Sequence, residues 1–180
     1  AAPIAVVAGG RERSESVRAG LAALGPQVAI VLVHDAARCF TPVEVFDRVI
    51  AAILEGDLAA VPGLPVTDTI KRSSDGRRAE GTEDRRTLFA AQTPQGFAYP
   101  AILDAHRRAA AEPTEFTDDA AIAEWAGIAV TLTKGSLRNT KLTHPEAFER
   151  AERLLGDRQM ETRTGSGFDA HAFEPGDAVW

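Results

Sequence analysis

Val28-Ala29-Ile30-Val31-Leu32-Val33 is a run of six apolar residues that stops at His34-Asp35-Ala36-Ala37-Arg38. Such a run, without alternation, is the pattern of a strand buried on both faces. The polar residues behind it stand where open α/β sheets bind ligands, outside the carboxyl ends of the strands. Downstream, Thr41-Pro42-Val43-Glu44 has the form of a capping box with proline at the first helical position. Val45, Val49 and Ile53 form one stripe of the helix it opens, with Phe46, Ile50 and Leu54 beside them and Gly56 as the stop. Leu58–Leu64 reads as the next strand. Upstream, Ile4–Val7 predicts a strand, Gly9-Gly10 a turn, and Ser14 or Ser16 the cap of a helix carrying Val17, Leu21 and Leu24 and stopping at Gly25. Strand and helix alternating through short loops predict an α/β fold: a mostly parallel, Rossmann-like sheet with helices on both faces.

The pattern changes over residues 65–87. Pro65–Arg72 alternates apolar and polar residues, Ser73–Gly81 is turn-rich and Thr82–Arg86 is charged. This predicts an extended β-arm: a solvated hairpin or an arm that packs on a second subunit. Thr87–Phe97 returns to strand character with Thr93-Pro94-Gln95-Gly96 as its turn, and Tyr99–Ala111 is helical. Thr117 is placed to cap a helix whose first turn holds Asp118 and Asp119, which suit the positive end of its dipole. That helix stops at Gly127, and Ile128–Leu132 follows as a strand. Thr143-His144-Pro145-Glu146 is a second capping box, before a helix carrying Phe148, Ala151 and Leu155 and stopping at Gly156. The reading gives one domain over residues 1–156, a polar linker over 157–162 and a segment of different character over 163–180.

Composition narrows the function classes. The chain has 180 residues, with 44% apolar and 26% charged residues, enough for a sizeable core. Twenty basic against 26 acidic residues leave a net charge of -6, which argues against nucleic acid as a partner. A single cysteine, Cys39, makes no internal disulfide and fits a reducing, cytoplasmic setting. No apolar run approaches the ~18 residues of a membrane span, so no membrane partner is expected.

Several residues could carry chemistry. Asp35 at the strand end can hold a magnesium ion or a ribose hydroxyl, and Ala36 and Ala37 leave room for a ligand; on spacing alone, a solvated strand end is the favoured reading. Gly9-Gly10 before a helix can offer amides to an anion. Thr69, Lys71, Arg85, Thr93, Thr117 and Lys141 are a scattered set of hydroxyls and cations able to hold a phosphate monoester. Asp169 and His171 form an Asp-x-His pair, two of the three or four ligands zinc needs.

An ordered series of strings runs through the chain: Ser16-Val17-x-x-Gly20-Leu21, Val33-His34-Asp35-Ala36-Ala37-Arg38, Pro65-Val66-x-Asp68-Thr69-Ile70-Lys71, Asp84-Arg85, Gln92-Thr93-Pro94-Gln95-Gly96-Phe97, Thr117-Asp118-Asp119-Ala120 and Asn139-x-Lys141-Leu142-Thr143-x-Pro145-Glu146. With these, Gly9 to Leu155 resembles the 2-C-methyl-D-erythritol 4-phosphate cytidylyltransferases of non-mevalonate isoprenoid precursor synthesis. Gly165-Ser166-Gly167-Phe168-Asp169-Ala170-His171 resembles the first strand of the 2-C-methyl-D-erythritol 2,4-cyclodiphosphate synthases. Together they resemble the bifunctional fusion of the two enzymes.

The resemblance implies a nucleotidyltransferase sheet and a cytidylyl transfer from CTP to methylerythritol phosphate, with release of pyrophosphate. It implies that Gly10, Ser16, Asp35, Ala36 and Arg38 bind the nucleotide, with Asp35 on the side of an Mg2+ ion. Thr69, Arg85, Thr93, Thr117 and Lys141 would hold the methylerythritol phosphate, Arg85 and Lys141 as catalytic residues. Arg85 would come from the arm of a neighbouring subunit, making the active unit a homodimer, with higher assembly through the synthase domain. Asp169 and His171 would be two ligands of the synthase zinc. The family's glycine-rich CTP loop has no match here, so the expectation is a piece of a larger protein with little turnover by itself. Two other readings fit the pattern: another sugar-phosphate nucleotidyltransferase, or a non-catalytic dimerising scaffold for the synthase.

Overall fold

A computed structural model describes residues 4–159 of the chain. Residues up to Leu142 form one compact unit, and a second unit begins at Thr143. The expectations placed on residues 160–180, including Asp169 and His171, lie outside the described residues.

The first unit is built on a mixed sheet. β1 (Ile30–Val33) leads through α2 (Val43–Leu54) to β2 (Ala59–Pro65), the central strand. The chain then leaves the sheet for the arm and returns as β5 (Phe89–Ala91) and β6 (Gln95–Ala98). In the arm, β3 (Lys71–Arg72) and β4 (Gly81–Thr82) pair antiparallel as a short exposed hairpin, followed by a 3-10 turn at Arg85–Thr87. α3 (Tyr99–Ala109), α4 (Asp119–Trp125) and β7 (Val130–Lys134) complete the unit. α1 (Arg13–Ala22) precedes β1.

β7 runs parallel to β2, and β1 shares their direction because both β1 and β2 are antiparallel to β6. β5 also pairs antiparallel with β2, as Gly63↔Ala91, Leu64↔Ala90 and Pro65↔Phe89. The antiparallel part was not legible as such in the sequence. A parallel return needs a long crossover, usually helical. The arm supplies no helix of that kind, so the chain comes back in the opposite direction.

Alternation along the strands loads both faces. Ile30, Leu32 and Ala60 pack under α2 with Val49, Ala52 and Ile53. Val31, Val33, Ala59 and Phe97 face the opposite layer with Leu21, Tyr99, Ile102 and Ile122 of α1, α3 and α4. Tyr99 buries its ring and donates its hydroxyl proton to the Leu21 carbonyl at 2.9 Å, tying α3 to the end of α1. Gly96 of β6 sits directly beneath α2, where a Cβ would collide with Val49 Cγ1 and approach Leu32 Cδ2 to 3.0 Å.

Several local expectations are corrected. Ile4–Val7 forms no strand: it has no ladder partner among the described residues, and Ile4 and Val6 are exposed. β1 is shorter than the apolar run and only half-buried, because its sole neighbour in the described sheet is β6. The predicted caps shift. Glu12, Pro42 and Asp118 occupy the N-cap positions of α1, α2 and α4, instead of Ser14 or Ser16, Thr41 and Thr117. Asp118 wins because its carboxylate reaches the Ala121 amide at 2.8 Å, and Thr41 turns its hydroxyl to the Arg38 carbonyl instead. In the second unit α5 (Pro145–Gln159) begins at Pro145, so Thr143 is not its N-cap. It also continues through Gly156, since one interior glycine costs only about 1 kcal/mol.

Candidate active site

Polar side chains from three loops meet behind β1. The Asp35 amide donates to Thr93 Oγ1 at 3.0 Å, and Thr93 Oγ1 lies 3.0 Å from His34 Nδ1. The Thr93 hydroxyl thus accepts from the Asp35 amide and is hydrogen-bonded to the His34 ring, tying the two residues at the strand end to the loop before β6. Burial lowers the His34 pKa from the ordinary imidazole value, against the opposing pull of an Arg38 backbone bond and the Asp35 charge. Its ring packs edge-on against Phe46, with centroids 5.1 Å apart.

Two cations flank Asp35. Lys141 Nζ stands 3.0 Å from Asp35 Oδ2, and Arg38 Nε 3.7 Å from the same oxygen. Arg38 also donates from Nη1 to the Asn139 carbonyl at 2.7 Å. Burial lowers the Arg38 pKa, and the charge of Asp35 works against that shift. Asp35, Arg38, Thr93 and Lys141 therefore meet in one place, although 106 residues separate the first from the last. Ala36 is exposed beside them, and Ala37 accepts the Leu142 amide at 2.9 Å.

The glycine turn before α1 is organised differently from the expectation. The Gly10 amide donates to Ser16 Oγ at 3.1 Å, and the Arg11 amide to Glu15 Oε2 at 2.7 Å. Ser16 Oγ in turn donates to the Glu12 carbonyl at 3.0 Å. The Gly10 amide, read as part of an anion cradle, is taken up by the helix's own hydroxyl, and the next amide by its carboxylate. A Cβ at Gly9 would come within 2.7 Å of Ser16 Oγ, so a larger residue there would turn that hydroxyl away from the Gly10 amide.

Thr69, Lys71 and Arg85 lie on the arm. Arg85 donates to the Thr67 carbonyl and Lys71 Nζ to Thr82 Oγ1, and all three residues are exposed. Among the described contacts, neither Thr69 nor Arg85 touches the Asp35 cluster of the same chain. Thr117 is exposed just before the Asp118 cap, with no side-chain hydrogen bond among the described residues.

Of the side chains that hold these groups in place, sequence reasoning gave a role to Asp118 and Asp119 alone, as carboxylates at the positive end of a helix dipole. Gln95, fully buried, donates to Asp118 Oδ2 at 2.7 Å and accepts the Ala120 amide at 3.0 Å, which fixes the start of α4. Asp119 is buried between Arg13 Nη2 at 2.6 Å and His106 Nε2 at 3.1 Å. Its burial would raise its pKa, yet the bonds from His106 and Arg13 outweigh that and hold it below the ordinary carboxylate value. Gln92 and Asn139 are buried together behind Thr93. Each of these except Arg13 and His106 stands inside a string quoted above, so its position was visible and its partners were not.

The mixed sheet with helix layers on both faces is an α/β fold, and it matches solved structures of the nucleotidyltransferase class. The solved 4-diphosphocytidyl-2C-methyl-D-erythritol synthase from Anaerococcus prevotii matches with a TM-score of 0.75 and 31% identity, over 82% of this chain and 68% of that one. The 2-C-methyl-D-erythritol 4-phosphate cytidylyltransferase from Thermus thermophilus matches with a TM-score of 0.73 and 37% identity, over 81% and 70%. The IspD family model, 2-C-methyl-D-erythritol 4-phosphate cytidylyltransferase, matches residues 1–157, and the chain belongs to that family. Relatives named bifunctional enzyme IspD/IspF are 51% identical in Rhodopseudomonas palustris, over 97% of this chain, and 51% identical in Paracoccus denitrificans, over 99%. The chain spans 44% and 46% of those two proteins.

Proposed function

We propose that the protein transfers a cytidylyl group from CTP to 2-C-methyl-D-erythritol 4-phosphate. A phosphate oxygen of the acceptor attacks the α-phosphorus of CTP, the bond to the β-phosphate breaks, and pyrophosphate leaves with the electron pair. Such a transfer asks little covalent work of the protein and much positioning and charge neutralisation. The observation that carries the reading is the Asp35–Lys141–Arg38–Thr93 cluster at the end of β1, in a chain of this family.

Lys141 is cast as the cation facing the acceptor phosphate, with Thr93 and Thr117 as hydroxyl partners. Gly10, Ser16, Ala36 and Arg38 are cast as the residues of the nucleotide side. Asp35 is cast as the carboxylate on the side of a divalent ion, Mg2+. Among the described residues no three His, Cys, Asp or Glu side chains form a metal cage. A single strand-end carboxylate still fits Mg2+, which takes one or two carboxylates together with substrate phosphates and waters. Bound there, the ion would neutralise triphosphate charge.

Thr69 and Arg85 are cast as the contribution of a partner's arm. Their exposure, and their separation from the Asp35 cluster of their own chain, support a homodimer in which each arm completes the other site. The relatives' names support a fused 2-C-methyl-D-erythritol 2,4-cyclodiphosphate synthase, in which Asp169 and His171 would ligate zinc. That activity is a phosphorus–oxygen lyase step giving the cyclodiphosphate and CMP, and the synthase would add higher assembly. A cytoplasmic setting accords with Cys39 as the single cysteine.

The test is a pyrophosphate-release assay on the intact protein with CTP and a panel of sugar and polyol phosphates. Release with methylerythritol phosphate alone is expected. Release with a different acceptor, or with none of the panel, overturns the assignment.

A further inference from the structure

The amides of Gln92 and Asn139, 7% and 1% exposed, form a clasp behind the site. Asn139 Nδ2 donates to the Thr93 carbonyl at 2.8 Å and to Gln92 Oε1 at 3.3 Å. Gln92 Nε2 donates to the Ser136 carbonyl at 2.9 Å and to the Asn139 carbonyl at 3.2 Å. Gln92 Oε1 also accepts the Ser136 amide at 3.0 Å. Thr41 Oγ1 lies 2.7 Å from Asn139 Oδ1 and shares its one proton between that oxygen and the Arg38 carbonyl. All four amide heavy atoms are thereby engaged. Leaving one of them unpaired in the interior would cost about 1–3 kcal/mol.

Three loops meet on this clasp. One follows β1 and carries Asp35 and Arg38; one precedes β6 and carries Thr93; one follows β7 and carries Lys141. Lys141 is two residues beyond Asn139, and the Leu142 amide is pinned on the Ala37 carbonyl at 2.9 Å. Gly135 lets the third loop in, since a Cβ there would come within 2.6 Å of Gln92 Oε1. A buried, fully satisfied polar network fixes one register, whereas an apolar plug would accept several.

We propose that Asn139, held by Gln92, is a positioning residue for the cytidylyl transfer: it sets the Lys141 ammonium against the Asp35 carboxylate. The proposal rests on the function argued above. A lysine on a free loop samples many rotamers, and a displacement of about 1 Å in such a group can cost roughly 100-fold in rate.

The test uses Asn139→Asp in the intact protein, with two readouts. Ionised, the new carboxylate cannot donate to the Thr93 carbonyl and faces Gln92 Oε1; protonated, it donates again. We therefore expect kcat to fall by roughly 10–100-fold with KM for CTP little changed, and the loss to shrink as pH is lowered. Independently of activity, the acetylation rate of the Lys141 amine, read by mass spectrometry, should rise because the amine is no longer held on Asp35. Thr41→Val removes the Oδ1 partner together with the bond to the Arg38 carbonyl but keeps both Asn139 Nδ2 bonds; it should move both readouts less in the same directions, and serves if Asn139→Asp does not fold. Unchanged Lys141 labelling and unchanged kcat in a folded variant overturn the proposal. If the parent protein releases no pyrophosphate from CTP and methylerythritol phosphate, the functional reading fails. The Lys141 labelling then still decides whether the clasp sets that side chain.

Discussion

Asp35 and Lys141 are both partly open to solvent, so their 3.0 Å pair contributes little to folding, of order 0–1 kcal/mol. Its value is in charge placement. Lys141→Ala should leave the melting temperature nearly unchanged and lower kcat/KM by roughly 100- to 1,000-fold, the scale of removing one donor to a developing oxyanion. Steady-state kinetics and a thermal melt on the same preparation check both halves. Asp119 behaves oppositely. Its folded pKa is held below the ordinary 3.8, so its stabilisation is fully present above about pH 4 and is lost as pH falls through the depressed value. Asp119→Asn should therefore flatten the acid limb of the stability–pH curve and cost about 1–3 kcal/mol near neutrality, as denaturant titrations across pH would measure. His34, Asp35 and Arg38 could be picked from the sequence because an apolar run ended on them. Asn139 and Gln92 could not, because a buried amide looks like any surface amide until its partners are known.

At the scale of elements, close packing under α2 is the sharpest constraint. Gly96→Ala forces a methyl into Val49 and should cost about 1–3 kcal/mol, visible as a lower denaturation midpoint at unchanged slope. Hydrophobic periodicity made α2, α3 and β2 legible, since each buries a continuous stripe or face. The ends were less so. Asp118 and Thr117 are adjacent capping residues, and only the geometry of the turn decides which carboxylate or hydroxyl meets the helix amides. Ile4–Val7 has the composition of a strand, but a strand exists only where a neighbour offers a ladder, and composition does not report the neighbour.

For the whole molecule, the arm is the feature that a single chain does not explain. If Arg85 serves the partner's site, mixing inactive Arg85→Ala and Lys141→Ala proteins under subunit exchange should restore about a quarter of parent activity, since half the dimers are mixed and each has one complete site. No restoration, with mixed dimers demonstrated, would place Arg85 outside the shared site. The alternation of strands and helices predicted the layers. The antiparallel return of β5 and β6 followed from the helix-free arm, whose direction no local pattern encodes.

31P NMR of the intact protein with CTP and methylerythritol phosphate follows the transfer itself. Pyrophosphate and a cytidine diphosphate ester should appear in equal amounts, with Lys141→Ala slowing both equally. Hydrolysis of CTP to other phosphates, or no change in the CTP resonances under those conditions, would contradict it.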